Sequence, residues 1–122
     1  MEENFKSILE ENGADVKSTL RRFMGNEGMY MKFLKRFPED PNYQNLGVSL
    51  EAGNYEEAFR CAHTLKGVAA NLGLVPVQTA VSGLVEELRS KSNEEVDAEK
   101  ANAMWQDLKK VYGQFVEIIN AG

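Results

Sequence analysis

The chain has 122 residues, which suits one domain, since a single core usually serves about 100 to 200. Hydrophobic residues at 43% and charged residues at 27% are the mixture of an ordinary globular protein, and no apolar run approaches the ~20 residues that span a bilayer. A net charge of −5 weighs against nucleic acid, which is bound through clustered Lys and Arg, and one Cys with one His is too few for a zinc site or an internal disulfide.

Met1-Glu2-Glu3-Asn4 lacks the basic region of an export signal, so a cytoplasmic protein is expected. No phosphate-binding loop or dinucleotide fingerprint is present, and no cofactor of its own is expected. Apolar residues recur at three- and four-residue spacing throughout, which predicts an all-α chain. Short helices are expected at about 3–11, at 14–24 with Val16, Leu20, Phe23 and Met24, and at 27–37 with Tyr30, Phe33, Leu34 and Phe37, punctuated by Gly13, Gly25 and Gly28. Pro38 and Pro41 interrupt any continuation. Tyr43, Leu46 and Leu50 mark a further helix ending near Gly53, a natural left-handed cap, after which Asn54 can cap the next.

That next helix is expected at about 55–72, stopping at Gly73. Pro76 can open a return helix to about 90 with Val77, Val81, Leu84 and Leu88 on one stripe, and the short connection makes the two antiparallel neighbours. A last helix at about 94–119 carries Met104, Leu108, Val111, Phe115 and Ile118. Together these predict an antiparallel up-down four-helix bundle with short N-terminal helices, its core spanning about 27–119 of a single domain covering 1–122.

On a wheel of about 100° per residue, Ala58, Cys61, Ala62, Leu65, Val68, Ala69 and Leu72 share the core side of the 55–72 helix. His63 falls opposite, flanked by Phe59, Arg60, Lys66, Gly67 and Ala70. A lone histidine is ordinarily a surface residue of no consequence. Its neighbours change that judgement, because Gly67 sits one turn later in a helix interior, where glycine costs ~1 kcal/mol relative to alanine. With Ala70 it leaves a bare patch that another protein's backbone could approach. Phe59 would add apolar contact area, and Lys66, three residues on, can reach a group held on the imidazole. Cys61 lies on the buried side and reads as packing.

Residues Ala62-His63-Thr64-Leu65-Lys66-Gly67, followed by Asn71-Leu72-Gly73-Leu74, resemble the signature of histidine-containing phosphotransfer (HPt) domains. Glu51-Ala52-Gly53-Asn54-Tyr55-Glu56-Glu57-Ala58 resembles the approach to that signature, and the stretches Gly13 to Val16 and Leu20 to Phe23 resemble the N-terminal element of free-standing members. The resemblance implies that His63 accepts a phosphoryl group on Nε2 from a receiver domain's phosphoaspartate and gives it to another receiver. It implies charge neutralisation by Lys66, clearance at Gly67, and docking around Phe59, Arg60, Gly67, Ala70 and Asn71. Such a chain is a covalent carrier rather than an enzyme. Its expected partners are response-regulator receivers, which bring the divalent metal, and a hybrid histidine kinase; nucleic acid and membrane are not among them, and a monomer is expected.

One departure stands out. Some members carry a Gln on the return helix to orient the imidazole, and the mirrored position here holds Val85, leaving Ser82, Glu86 or water for that role. Two other readings compete with a stand-alone carrier. One is the phosphoacceptor domain of a larger chemotaxis-type kinase, which shares the His-Thr-Leu-Lys-Gly run. The other is a bundle that docks on receivers without carrying phosphate, against which His63 itself argues.

Overall fold

A computed structural model describes residues 1–89 and 91–122, and they are all-α. Seven α-helices occur among them: α1 (Glu3–Glu11), α2 (Val16–Arg22), α3 (Glu27–Arg36), α4 (Pro41–Glu51), α5 (Tyr55–Asn71), α6 (Val75–Leu88) and α7 (Ala98–Ala121), with a 3₁₀ turn at Phe37–Glu39 between α3 and α4. Residue 90, to which the sequence carried the return helix, lies outside the described residues.

The helix starts are chemically specified. Asp15, Asn26, Asp40, Asn54 and Asp97 each accept a hydrogen bond from a backbone N–H two or three residues on, satisfying donors that the first turn leaves free. Pro41 and Pro76 stand in the first turns of α4 and α6, where a missing N–H costs nothing, so these prolines open helices. The cap at Asp97 also explains why α7 begins at Ala98 rather than near 94. Residues 92–95 form a turn closed by the Glu95 N–H on the Ser92 carbonyl, with the Glu95 carboxylate accepting the Ser92 N–H.

Within the core, α5 packs between α4 and α6, α6 packs against α7, and α7 also touches α1, α3, α4 and the 3₁₀ turn. The inner face of α5 is small: Ala58, Cys61, Ala62 and Ala69 surround Leu65, so its neighbours can approach closely. Val68, expected in this stripe, is half-buried at its edge. On α7 the buried residues are Ala101, Leu108, Tyr112, Phe115 and Ile119, whereas Met104, Val111 and Ile118 are half-buried. The face is rotated from the expected one because α1, α3 and the 3₁₀ turn also cover this helix. Tyr112 is drawn in by stacking on Tyr43, with centroids 3.6 Å apart, and its hydroxyl donates to the Phe37 carbonyl.

Two further expectations are corrected at the N-terminal end. Met24 is 93% exposed in a left-handed turn after α2 rather than on an apolar stripe, and Gly28 lies inside α3 instead of interrupting the chain. Long-range bonds tie these small helices to the rest. The buried Tyr30 hydroxyl donates to the Leu72 carbonyl at 2.9 Å, and burial pushes its pKa up to about 12. The Lys35 ammonium donates to the Ile119 and Gly122 carbonyls, closing the end of α7.

Candidate functional site

Helix α5 positions the candidate site because its two ends are fixed. Asn54 caps the start, its side-chain oxygen accepting from the Glu57 N–H at 3.2 Å. At the other end Gly73 adopts φ +70, a left-handed turn that L side chains rarely adopt. A Cβ there would also collide with Thr19 Oγ1 and come 2.6 Å from the Asp15 carbonyl. Glycine therefore lets α2 rest on the α5–α6 turn, where the Asp15 N–H donates to the Gly73 carbonyl at 2.8 Å. One nitrogen of the Arg22 guanidinium donates to the Ala70 and Asn71 carbonyls at 2.8 and 3.2 Å, capping the C-terminal end of α5.

Between these anchors His63 and Thr64 are exposed, and the Thr64 hydroxyl donates back to the Arg60 carbonyl at 3.1 Å. The imidazole borders an open groove of about 730 Å³ shared with Phe59, Arg60, Thr64 and Arg89 and with the acidic side chains of Glu56 and Glu57. Phe59 is its aromatic neighbour, ring centroids 5.9 Å apart at 36°. On the wheel Phe59 belongs to the wet face; in the fold it is half-buried against the core, with the Arg89 guanidinium carbon 5.6 Å from its ring centroid. Arg60 is exposed and ion-paired with Glu57.

Lys66 is half-buried one turn beyond His63, close enough along the helix for its flexible ammonium to reach a group on the imidazole. A Cβ built on Gly67 meets nothing within 4 Å, so this helical glycine opens space on the outside and relieves no packing on the inside. Cys61 is buried, and burial pushes its thiol pKa up, away from nucleophilic use.

The orienting partners suggested on α6 are otherwise engaged. Val85 is fully buried, the Ser82 hydroxyl donates to the Gln78 carbonyl at 2.7 Å, and Glu86 pairs with Arg89 at 3.3 Å. Among the described residues the Phe59 ring is the side chain recorded against the imidazole. Neither Arg89 nor Arg22 was legible beforehand. Each reaches α5 from a distant element, and no local spacing signals that.

The predicted docking residues divide along the helix. Phe59 and Arg60 share the groove with His63, while Asn71 lines a second cavity of about 490 Å³ walled by Phe23, Phe33, Val68 and Leu72. Gly67 is exposed and Ala70 half-buried between the two.

A family model described as the Hpt domain matches residues 29–115, well over half of the chain. The chain belongs to the Hpt domain family. An Hpt domain is a histidine-containing phosphotransfer domain of two-component signalling. The match starts within α3 and ends within α7, so α1 and α2 lie outside the Hpt segment. Neither a curated protein nor a solved structure matched the chain. Among the described residues of this Hpt protein no helix is long and apolar enough to cross a membrane.

Proposed function

We propose that this Hpt protein is a phosphorelay carrier in which His63 takes a phosphoryl group from a receiver domain's aspartate and delivers it to a second receiver. The observation that carries the reading is that the chain's one histidine stands exposed at mid-helix, beside Lys66 and an unobstructed Gly67, within the segment matched to the Hpt family.

With a proton on Nδ1, the Nε2 lone pair attacks phosphorus while the bond from phosphorus to the aspartate oxygen breaks and the carboxylate leaves. The return reaction reverses these events on the acceptor. Most of the catalysis is positioning and charge neutralisation, as in phosphoryl transfer generally. Lys66 supplies a cation on this side, and the receiver supplies its divalent metal. Gly67 and Ala70 keep the face low enough for the receiver to bring its aspartate to Nε2, while Phe59, Arg60 and Asn71 contribute contacts around it. Phe59 is the residue best placed to limit imidazole rotation.

On this reading the protein is a covalent carrier and not an enzyme. It works as a cytoplasmic monomer between a hybrid histidine kinase and a response regulator, with α4 to α7 as an antiparallel up-down bundle holding the site. The test is incubation with receiver domains carrying radiolabelled phosphoaspartate. Label that moves to this chain and proves acid-labile and base-stable supports a phosphohistidine; acid-stable label, or none, refutes the proposal.

A further inference from the structure

Among the described residues one charged side chain is buried, that of Glu87 in the last turn of α6. It is 4% exposed, although a carboxylate is disfavoured at the negative end of a helix and burial adds to that cost. An apolar side chain of similar volume would fill the space without either cost. What Glu87 does there is gather the chain that follows it. Its carboxylate accepts from the Lys91 ammonium at 2.8 Å and from the Asp97 N–H at 3.4 Å, and it pairs with the Lys100 ammonium at 3.2 Å. The Lys91 hydrogen bond foremost, these partners hold its carboxyl below the usual carboxylate range. Lys91 opens the stretch 91–97 between α6 and α7, while Asp97 caps α7 and Lys100 lies in its first turn, so one carboxylate clasps both ends of the connection. Val96, buried within the same stretch, anchors it to the core.

The clasped stretch reaches α5. Asn93 Oδ1 accepts from the Tyr55 N–H at 3.2 Å, a first-turn donor that Asn54, engaged with the Glu57 N–H, leaves to it. Lys91, Ser92 and Asn93 line a cavity of about 420 Å³ together with Glu56, Phe59 and Leu88. Phe59 also borders the groove of His63, so its ring is the partition between this connection and the imidazole. Arg89, two residues beyond Glu87, reaches the same ring, its guanidinium carbon 5.6 Å from the centroid. Both routes from Glu87 end on the aromatic side chain that faces His63.

We propose that Glu87 is a positioning residue for His63: by clasping the α6–α7 connection it holds Asn93 and Arg89 in place around Phe59, and through that ring it limits the rotation of the imidazole. This rests on the reading of His63 given above. The requirement comes from α6 itself. Val85 is buried, and Ser82 and Glu86 are engaged elsewhere, so confinement by Phe59 is the restraint this chain has for the ring. An imidazole free to turn spends part of its time with Nε2 aimed away from the phosphorus. That lowers the rate of transfer within the complex without changing how the receiver binds.

The experiment records the ring signals of the single histidine by NMR, together with transfer from a labelled receiver, for wild type, Glu87→Leu, Asn93→Ala, Phe59→Ala and the double variant Glu87→Leu/Phe59→Ala. Melting curves establish that each folds. Asn93 is exposed, so its variant tests the connection even where Glu87→Leu melts early. In wild type the Phe59 ring, 5.9 Å from the imidazole centroid to centroid, displaces the His63 signals by its ring current. Glu87→Leu and Asn93→Ala are expected to move those signals toward their Phe59→Ala positions. Both should lower the saturating transfer rate roughly three- to tenfold at an unchanged half-saturating receiver concentration. The double variant should transfer no more slowly than Phe59→Ala alone, because the two changes act through one ring.

His63 signals that stay at their wild-type positions in both Glu87→Leu and Asn93→Ala overturn the positioning role, as do losses of rate that add in the double variant. Glu87→Leu that lowers the melting temperature while leaving signals and saturating rate unchanged makes the clasp purely structural and overturns it too. If no receiver labels the wild type, the role of His63 as carrier has failed. The ring signals need no receiver and then decide alone whether Glu87 positions the imidazole.

Discussion

Ala58, Cys61, Ala62, Leu65 and Ala69 on the inner face of α5 are each no more than 4% exposed, while His63, Thr64 and Gly67 on its outer face all meet solvent. Both faces carry small residues, Ala58, Ala62 and Ala69 inside and Gly67 and Ala70 outside, for opposite reasons. The inner alanines let α4 and α6 come close, and every one of them is in contact. On the outside, a Cβ at Gly67 would touch nothing, so the helix bears the cost of an interior glycine without any packing return inside this chain. On the proposed reading, the return comes from a partner that approaches from outside. A histidine with a lysine one turn on marks where.

Removing volume from the inner face should give the largest change. Leu65→Ala is expected to cost ~2–5 kcal/mol in chemical denaturation, because the site is fully buried and its neighbours collapse only partly into the space. A loss under ~1 kcal/mol would show that this face is not core.

The two glycines of the α5 region sharpen the contrast. Gly73→Ala should cost ~2 kcal/mol or more, since it adds left-handed strain of ~1–2 kcal/mol to a collision with Thr19 and Asp15. Tolerance of alanine there would mean that α2 does not rest on the α5–α6 turn.

On the outer face, Lys66→Ala should slow transfer about tenfold, equivalent to ~1.4 kcal/mol of barrier, while receiver binding measured by calorimetry stays near wild type. Equal rates would reduce Lys66 to a solvated surface charge. A smaller effect on stability, and of opposite sign to the core changes, belongs to Gly67→Gln, expected to gain ~0.5–1 kcal/mol from helix propensity while blocking transfer. A variant that melts earlier and transfers normally would invert the account of this face.

The division between what was legible in the sequence and what was not follows the range of the interactions. Apolar spacing and the Asn54 and Gly73 signals located α5 to within a residue at each end, and the same wheel separated His63 from the core, because both depend on residues within a turn or two. The face of α7 was misjudged by about one position. Tyr112 and Ile119 are buried by α1, α3, α4 and the 3₁₀ turn together, a demand that no spacing within α7 expresses. Arg22 and Arg89 were missed for the same reason. One caps α5 from 48 and 49 residues away, and the other covers Phe59 from the end of α6. The start of α7 moved from about 94 to Ala98 because the Ser92–Glu95 turn and the Asp97 cap take precedence there.

The central claim is that the outer face of α5 exists for His63, and His63→Gln tests it most directly. Phosphoryl transfer from a labelled receiver and a thermal melt are measured on the same sample. The account predicts no acid-labile label on the variant and a melting temperature unchanged from wild type, because the side chain is exposed on the face opposite the core. Label retained in His63→Gln, or a variant that loses its helices, would contradict it.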